Sequence, residues 1–438
     1  MTKNVVIVPA CTDLNRGDQA LVWETAYLMR DALGDDELSV DIVDYGNTEA
    51  DRARQSAQTK AEGFNVIRNL TENPKRYVNN SSVHNKLSAF FISATVACLD
   101  FIKHFILLLC PTELIINLFY RGKGYKESFE RIKRADAIVI KGGGYLHTYG
   151  KIEDLYYLWF GLYYVLLAKR LNKKVIIFPN SIGPITGGLN RAFFKYVIRK
   201  VDLLLVRERI SKEYLSSMGI SNAIYAYDLG YYSKSKPISD NKKNLDDNKA
   251  KKIGITLRPY RFPKSANPEE KYSSYIKAVA DFCNNNIDGR KYYFIVQVQG
   301  PSAHETDLIA INDVLKILSD DVVYELVDDS YDYRELLDVY SKMDYVIGTR
   351  FHSVIFSQIM NIPSIAIAYG GNKSRGIMRE LDLEEFVVDI EEVSCSKLTD
   401  MMRTLEASKE DYLGKLKSGM AIIEQDRNNL INLIRETF

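Results

Sequence analysis

An arginine and a histidine stand two positions apart in the stretch GTRFH, residues 348–352, between two apolar runs. Arg350 carries a permanent positive charge, and His352 can exchange a proton near neutral pH. A strand end that is flanked by apolar runs rarely keeps such a pair without a use for it. The pair therefore predicts a site that binds an anion and transfers a proton.

Two other arginines follow apolar runs in the same way. Arg207 comes after LLLV and Arg258 comes after GITL. Each arginine alone could form an ion pair inside the protein; Glu208, for example, stands next to Arg207. Guanidinium groups bind planar carboxylates and phosphates through paired hydrogen bonds. Three arginines at strand ends together predict a small ligand that carries both kinds of anionic group.

The relative direction of Arg350 and His352 depends on where the next helix begins. A helix that begins at Arg350 would separate the two side chains by about 200° around its axis. With Ser353 as the N-cap residue, both side chains would belong to extended backbone and would lie on the same side. We favour Ser353 as the N-cap, which also directs the positive helix N-terminus toward a bound anion.

Three further motifs stand at predicted strand ends, in NRGDQAL, KGGGYLHTYG and FPNSIGPITGG. Gly17 lets the backbone turn tightly, and Asp18 could cap a helix or bind a ligand hydroxyl. The three glycines at 142–144 let a ligand or another chain approach the backbone closely. Without a function, the same motifs would be a capped turn, a structural histidine and a rigid turn before a helix. The candidate ligand-binding residues in them are Asn15, Asp18, Gly142, Gly143, Gly144, His147, Asn180 and Ser181.

The composition argues against several classes of protein. The 438 residues carry a net charge of only +1, which argues against nucleic-acid binding through bulk charge. The five cysteines form no CxxC pair, so we expect a reduced, cytoplasmic chain without disulfides or a zinc site. The sequence has no Asp-x-Asp, no Walker-type phosphate loop, no GxSxG and no HExxH, and it predicts no metal site.

Short β-branched runs alternate with helix-length segments, a pattern typical of parallel sheets that are covered on both faces. A polar stretch, residues 233–252, is the predicted linker. We predict an α/β protein with two Rossmann-like domains, residues 1–232 and 253–438, whose strand ends face a cleft, as in the glycosyltransferase-B arrangement. The predicted strands are 4–9, 39–44, 137–142, 174–179, 203–208, 223–228, 252–259, 292–299, 322–327, 344–349, 364–369 and 386–390.

An apolar segment, residues 86–119, stands within a predicted helical insertion near residues 47–125. Asp100, Lys103 and His104 divide it into halves shorter than about 18 residues, so we do not expect a membrane-spanning helix. Two alternatives remain for this segment. It forms either a pair of core or lid helices, with a role in oligomer contacts, or a hairpin that lies on a membrane surface.

The order and spacing of these motifs resemble the polysaccharide pyruvyl transferase family. The resemblance covers most of both predicted domains, except the insertion and the linker. Its most specific part is GTRFH, where Phe351 stands at a position that is often leucine in the family. The other matching parts are NRGD at 15–18, GGG at 142–144, SIGP at 181–184, VRE at 206–208, LRP at 257–259 and NIP at 361–363.

The resemblance implies transfer of a three-carbon pyruvyl unit from phosphoenolpyruvate to a sugar, as a ketal, with release of phosphate. The acceptor would be a polysaccharide or its lipid-linked precursor at the inner face of the cell membrane, and no cofactor is implied. His352, Arg350 and Asp18 would be catalytic. The implied donor-binding residues are Arg207, Arg258, Arg350, Gly142, Gly143 and Gly144, and the acceptor-binding residues are Asn15, Asp18, His147, Asn180 and Ser181.

Two other functions are compatible with the same residues. The first is a metal-independent glycosyltransferase that binds a nucleotide sugar, in which the arginines would hold a diphosphate. The second is a binding or scaffold protein that keeps the fold without catalysis. Binding of UDP or GDP, compared with binding of phosphoenolpyruvate, distinguishes the first alternative from pyruvyl transfer.

Overall fold

The computed structural model describes residues 2–9, 12–34, 37–78, 86–151, 153–238, 250–300, 306–327, 329–369 and 373–438. Residues 239–249 of the predicted linker lie outside this part of the chain. The chain divides into two compact units, the first comprising Met1–Asp13, Leu21–Leu229 and Asp426–Phe438, and the second comprising Leu14–Ala20 and Gly230–Gln425. The predicted domain boundaries therefore differ from the structure at three places, because residues 14–20 and 230–232 group with the second unit and residues 426–438 with the first.

The first unit contains an eight-stranded parallel sheet, with strands β1 (Lys3–Val8), β2 (Leu38–Val43), β3 (Asn65–Ile67), β4 (Ala137–Ile140), β5 (Gly143–Leu146), β6 (Lys174–Ile182), β7 (Leu203–Val206) and β8 (Ala223–Tyr225). The strand order is β3-β2-β1-β4-β6-β7-β8, and β5 pairs with β6 beside this path. All residues of β4 and β7 are buried. Burial on both faces explains why these strands are continuous apolar runs without alternation.

The second unit contains a six-stranded parallel sheet, with strands β9 (Lys251–Thr256), β10 (Arg290–Phe294), β11 (Tyr324–Leu326), β12 (Tyr345–Gly348), β13 (Ser364–Ala368) and β14 (Val387–Asp389). The strand order is β11-β10-β9-β12-β13-β14. The order reverses after β9, since β10 lies on one side of it and β12 on the other. Ligands of open parallel sheets bind at the carboxyl ends of the strands next to such a reversal.

Helices connect the strands of both sheets, as parallel pairing requires. They are α1 (Arg16–Leu33), α2 (Glu49–Gln55), α3 (Ala57–Ala61), α4 (Lys86–Leu109), α5 (Glu113–Phe119), α6 (Tyr125–Arg134), α7 (Asp154–Arg170), α8 (Gly188–Ile198), α9 (Arg209–Ser217), α10 (Pro268–Asn284), α11 (Asp307–Leu315), α12 (Tyr333–Ser341), α13 (Phe351–Ile359), α14 (Lys373–Glu380), α15 (Cys395–Ala407) and α16 (Lys409–Thr437). Short 3₁₀ helices cover Pro74–Tyr77, Leu229–Tyr232 and Glu384–Phe386.

The twelve predicted strands are all present, with shifted ends, and two strands were not predicted. The first is β3, whose three residues are too few to show a period within the insertion that we expected to be helical. The second is β5, which contains Gly143 and Gly144 of the stretch that we expected to be a loop. Pairing with β6 holds these glycines extended, because tertiary contacts override a weak local preference.

The apolar segment folds as one long helix, α4, followed by the short helix α5. The expected division of the segment at Asp100, Lys103 and His104 is wrong, because these residues lie on one side of an unbroken helix. Asp100 is 3% exposed and His104 is 0% exposed. Arg76 donates to the Asp100 carboxylate from Nη1 at 2.6 Å and from Nη2 at 3.0 Å. Polar contacts therefore attach α4 to the first unit.

His104 lies where α4 contacts the rest of the first unit, and both of its ring nitrogens are within hydrogen-bond distance of a partner. Trp159 Nε1 donates to His104 Nδ1 at 3.3 Å, and His104 Nε2 lies 3.2 Å from the carbonyl oxygen of Leu70. The arrangement needs a neutral imidazole whose proton is on Nε2. Burial, with a smaller contribution from the charge of Lys103, lowers the pKa of His104 to about 3.

We expect the free energy of unfolding to fall as the pH drops below 6.5, because the unfolded chain then binds a proton on His104 that the folded protein excludes. The loss of stability due to His104 should be about 2 kcal/mol at pH 5 and should reach its full value near pH 3. Denaturant titrations of wild type and His104→Gln at several pH values measure this loss, which should be smaller in the variant. His147→Gln, at a partly exposed histidine, is the control, and equal pH slopes in wild type and His104→Gln would contradict the prediction.

Candidate functional site

The candidate site of the second unit lies at the carboxyl edge of its sheet. Arg258 follows β9, Arg350 follows β12, and Tyr369 follows β13. The guanidinium carbon of Arg258 lies 3.9 Å from the centre of the Tyr369 ring. Because β12 lies between β9 and β13, this contact crosses the end of the strand that leads to Arg350. The structure thus brings two of the predicted arginines to one edge.

Arg350 is bound to a carboxylate of its own unit. Its Nε and Nη2 donate to Asp307 Oδ1 at 2.8 and 2.5 Å. Asp307 Oδ2 accepts from the backbone N–H groups of Gln297 and Val298, each at 2.9 Å. Burial raises the pKa of Asp307, while Arg350 and the two N–H groups oppose this shift. The charge of Arg350 is therefore balanced within the protein before any ligand binds.

Helix α13 begins at Phe351, with Arg350 as its N-cap residue in extended backbone. The expectation that Ser353 is the N-cap is wrong. The Ser353 hydroxyl instead donates to the Arg350 carbonyl at 2.5 Å and accepts from the Thr256 hydroxyl at 2.9 Å. His352 therefore lies in the first turn of the helix and has different neighbours from Arg350.

The NRGD motif belongs to the site in the second unit, because its first residues pair with the chain after β10. Asn15 forms an antiparallel bridge with Val298. The backbone N–H of Arg16 donates to the Gln297 carbonyl at 3.0 Å. The sequence could not indicate this placement, because the motif directly follows the first strand of the other unit.

Asn15, and not Asp18, caps the N-terminus of α1. Asn15 Oδ1 accepts from the backbone N–H groups of Gly17 and Asp18 at 3.1 and 3.3 Å. Asp18 lies in the first turn of the helix, where its Oδ2 accepts from Asn15 Nδ2 at 2.8 Å. An acidic side chain in this turn is favourable because it faces the positive end of the helix dipole.

The backbone of Gly17 lies directly against the imidazole of His352. A Cβ atom on residue 17 would lie 2.1 Å from Nδ1 of His352 and 2.5 Å from its Cγ, so the imidazole lies against the glycine backbone. The tight turn that we expected at Gly17 is absent, since the residue lies within α1. The glycine is required for close approach. Asp18 is the next residue of α1 after this contact.

Arg258 differs from the other two arginines. It is partly buried, and among the described residues it has no ion pair. Its Nε is buried without a hydrogen-bond partner in the described part of the chain. The rings of Tyr369 and Tyr260 lie 3.9 and 5.6 Å from its guanidinium carbon. Stacking contacts fix the plane of the guanidinium and leave hydrogen bonds in that plane for a ligand.

Gln297 is a second buried polar group at this edge of the sheet. It is 2% exposed, and neither atom of its side-chain amide has a hydrogen-bond partner among the described residues. Its backbone binds both Asp307 and Arg16. A buried amide that lacks partners is costly, so such a group is a candidate for ligand binding.

In the first unit, Arg207 is bound to a carboxylate as Arg350 is. Its Nη1 donates to Asp228 Oδ2 at 2.5 Å, and its Nε donates to the Ser181 hydroxyl at 2.8 Å. The Ser181 hydroxyl in turn donates to Glu208 at 2.6 Å. The side chains of Arg207 and Asp228 are 4% and 2% exposed. The ion pair that the sequence left open for Arg207 is therefore present, with Asp228 as the close partner.

The glycine-rich stretch of the first unit packs against β6. A Cβ atom on Gly142 would lie 3.0 Å from the Pro179 carbonyl oxygen, and one on Gly143 would lie 3.2 Å from the Tyr145 ring. Close packing against β6 accounts for Gly142, and a φ of +157° accounts for Gly143. His147 follows β5, partly buried, with its ring centre 4.9 Å from that of Tyr149.

Asn180 lies in β6 next to this stretch. It is fully buried, and its Nδ2 donates to the carbonyl oxygens of Lys141 and Phe178, each at 2.9 Å. The bond to Lys141 joins the ends of β4 and β6, and the bond to Phe178 stays within β6. Among the described residues, Oδ1 of Asn180 has no hydrogen-bond partner. Asn180 thus has a structural role and one acceptor atom that remains available for a ligand.

Sequence reasoning missed Asp307, Gln297 and Tyr369. Asp307 had a usable signal, since an acidic residue that starts an apolar, helix-like run indicates a helix N-terminus. Tyr369 directly follows the strand SIAIA and so stands at a strand end, as the predicted arginines do. Gln297 had no such signal, because it stands in a run that we took to be strand. Among the described residues, no group of three metal-ligating side chains is present.

Solved structures share the fold of this chain. A UDP-GlcNAc 2-epimerase from Neisseria meningitidis, bound to UDP-GlcNAc, is 11% identical, with a TM-score of 0.53 over 100% of this chain and 99% of that chain. HepE of Anabaena, in complex with UDP-glucose, is 11% identical, with a TM-score of 0.51 over 99% of this chain and 98% of that chain. The chain is a two-domain α/β protein of the glycosyltransferase-B-like class, as predicted.

A family comparison identifies the chain more closely. The model of the polysaccharide pyruvyl transferase family matches residues 15–371, and the chain belongs to this family. The amylovoran biosynthesis protein AmsJ of Erwinia amylovora is 26% identical over 279 residues, which are 61% of this chain and 65% of that protein. The match therefore spans less than two thirds of the length of AmsJ. The resemblance that the motifs indicated is confirmed.

We expect Gly17→Ala to displace the imidazole of His352, because the new Cβ would lie 2.1 Å from its Nδ1. The cost should be about 1–3 kcal/mol of stability, typical of overpacking. The His352 resonances in NMR spectra should shift strongly. Gly414→Ala, where a Cβ meets no atom within 4 Å, is the matched control and should leave them unchanged. Unchanged His352 resonances in Gly17→Ala would show that the two residues are not in contact.

Asp307→Ala should cost about 3–5 kcal/mol, because it leaves the buried guanidinium of Arg350 without a counter-charge. Combining it with Arg350→Met should restore part of this stability, since the uncompensated charge is then absent. Urea unfolding of the two single variants and the double variant measures the coupling free energy. Additive losses would show that the two residues do not depend on each other.

Proposed function

We propose that this protein transfers a pyruvyl group from phosphoenolpyruvate to a sugar of a polysaccharide or of its lipid-linked precursor. The product is a pyruvate ketal, and phosphate is released. Family membership and the similarity to a protein of amylovoran biosynthesis support pyruvyl transfer in polysaccharide synthesis. The observation that carries the choice of donor is the state of Arg258.

Arg258 is the predicted arginine whose charge no described carboxylate balances. Arg207 and Arg350 each bind a buried aspartate, so a three-arginine clamp on the donor is replaced by a site centred on Arg258. Two more cations, Arg261 and Lys264, are exposed in the same loop after β9. A donor with a carboxylate and a phosphate on a small frame would match this concentration of positive charge.

His352 is the proposed proton donor. It adds a proton to the methylene carbon of phosphoenolpyruvate, and the double-bond electrons form the new C–H bond. An acceptor hydroxyl adds to the resulting cationic C2 and loses its proton, and phosphate then leaves C2 with the bonding electrons. A second hydroxyl of the sugar closes the ketal. One of the two hydroxyl protons restores His352 and the other leaves with phosphate.

Asp18 is the proposed base for the first acceptor hydroxyl, because it lies one residue from Gly17, which touches His352. Asn15 holds the Asp18 carboxylate and would orient it. His147 of the first unit is the other candidate base. Asn180 and Ser181 are proposed acceptor-binding residues, although both already take part in internal hydrogen bonds.

Arg258→Gln should weaken binding of phosphoenolpyruvate about 10- to 100-fold, because a hydrogen-bonded charge is worth about 1.5–3 kcal/mol. His352→Ala should keep this affinity within about threefold and lose phosphate release that depends on a sugar acceptor. Calorimetry measures donor binding, and a phosphate assay with soluble and lipid-linked acceptors measures turnover. Arg403→Gln, at a highly exposed arginine that contacts Asp400, is the matched control and should change neither quantity.

The same samples separate the alternatives. Binding of UDP or GDP, without binding of phosphoenolpyruvate, would favour the nucleotide-sugar transferase. Donor binding without release would mean that the true acceptor is absent from the panel. Unchanged donor affinity in Arg258→Gln would refute the site proposed here.

A further inference from the structure

Helix α4 directs Asp100, Lys103 and His104 toward the protein and most of its large apolar residues toward solvent. Asp100 and His104 are buried, and Lys103 contacts both Asp100 at 3.3 Å and Glu72 at 3.6 Å. A surface helix of a globular protein normally shows the opposite arrangement. Such an inverted helix needs an apolar partner on its outer side.

The outer side of α4 and α5 forms one series of exposed large apolar side chains, which we name the apolar surface. Several are more than half exposed. Single exposed apolar residues are ordinary, whereas a contiguous group of this kind marks an interaction site. Its members are Leu87, Phe90, Phe91, Ile92, Leu99, Phe101, Ile102, Phe105, Leu109, Leu114, Leu118 and Phe119.

A groove of about 950 Å³ opens beside the apolar surface. Small residues of α4, Ala94 and Ala97 among them, leave room opposite Tyr157 and Trp159 of α7. The volume is at the upper end of the range for ligand pockets, about 300–1,000 Å³. Its lining is mainly hydrocarbon and aromatic, which suits an acyl chain.

Cations stand around this apolar area. Lys75 lines the groove, Lys151 stands in the loop before α7, and Arg121 and Lys123 directly follow α5. All four are exposed and have no ion pair among the described residues, and they outnumber the one acidic residue of the groove lining, Glu153. Exposed cations beside an apolar helix are typical of proteins that bind the surface of anionic membranes.

We propose that α4 and α5 lie in one leaflet of an anionic lipid bilayer, with an acyl chain in the groove and the surrounding cations on lipid headgroups. In the described part of the chain, α4 is the helix with the length and composition to cross a membrane, and 17% of its apolar window is buried. It lies on the membrane without crossing it, because Asp100 and His104 attach its other side to the first unit.

A second copy of this chain fits the apolar surface less well. A symmetric dimer would place the same patch against itself, so its cations would approach one another. The acidic group of α5, Glu113, is already paired with Lys126 at 3.0 Å. An anionic bilayer supplies both the apolar contact and the opposite charge.

Flotation of the full chain with vesicles tests the proposal. We expect binding to vesicles of phosphatidylcholine with about a quarter phosphatidylglycerol, and weaker binding to phosphatidylcholine alone. The double variant Leu99→Asp, Ile102→Asp should bind at least about tenfold more weakly for each substitution. Each one removes an apolar side chain that the wild-type protein would bury in the bilayer. Lys75→Glu and Lys123→Glu should each reduce it about fivefold or more.

Leu189→Asp is the matched control, because Leu189 is 79% exposed on α8 outside the apolar surface. It should bind vesicles as wild type does. If the Leu99→Asp, Ile102→Asp variant fails to fold, Lys75→Glu and Lys123→Glu still test the proposal. Absence of binding to anionic vesicles would overturn the proposal, and so would a dimer that the Asp pair converts to monomer.

Cys98 offers a second readout, because it is exposed and lines the groove. With Cys11→Ser, Cys110→Ser and Cys395→Ser, and with Cys283 buried, a nitroxide on Cys98 reports its depth by electron paramagnetic resonance. Anionic vesicles should raise its contact with oxygen and lower its contact with a water-soluble nickel complex. Unchanged accessibility on vesicle addition would contradict insertion of α4. The phosphate assay plays no part in these tests, so they are independent of the proposed activity.

Discussion

The buried carboxylate of Asp307 is the constraint on which the site of the second unit depends. A carboxylate without water must have all its acceptor positions satisfied, or it would not remain ionised. Arg350 and the backbone N–H groups of Gln297 and Val298 supply these contacts. One side chain thus joins the start of α11, the chain after β10 and the N-cap of α13. These three segments end at the same edge of the sheet.

The segment after β10 in turn receives the NRGD motif. Asn15 bridges to Val298, the helix that Asn15 caps contains Gly17, and the backbone of Gly17 holds the imidazole of His352. The imidazole of His352, the proposed proton donor, is therefore positioned through a series of contacts that begins at Asp307. Arg350 takes part in that series through its ion pair with Asp307. Arg258 stacks on aromatic rings and has no ion pair among the described residues, so it is the proposed donor-binding group. Two arginines that look equivalent in sequence have different roles because only one has a carboxylate beside it.

In the first unit, buried arginines also neutralise buried aspartates. Arg207 satisfies Asp228, and Arg76 satisfies Asp100 below α4. Because the charges of α4 are bound on its inner side, its outer side consists of hydrocarbon. The apolar surface is therefore a consequence of how α4 is attached, and a bilayer would complete its burial. Charged residues in an apolar segment do not by themselves show where the segment breaks.

The sequence alone determined the two parallel sheets, twelve of their strands and the family, because buried strands must be apolar runs and the motifs recur in a fixed order. It also located Arg258 and Arg350 at strand ends. Tertiary structure decided which arginine is paired, where α13 begins and which unit NRGD joins. These features depend on contacts between residues far apart in the chain, such as Asp307 with Arg350 and Gly17 with His352. A local pattern carries no information about such contacts, so only the folded chain could show them.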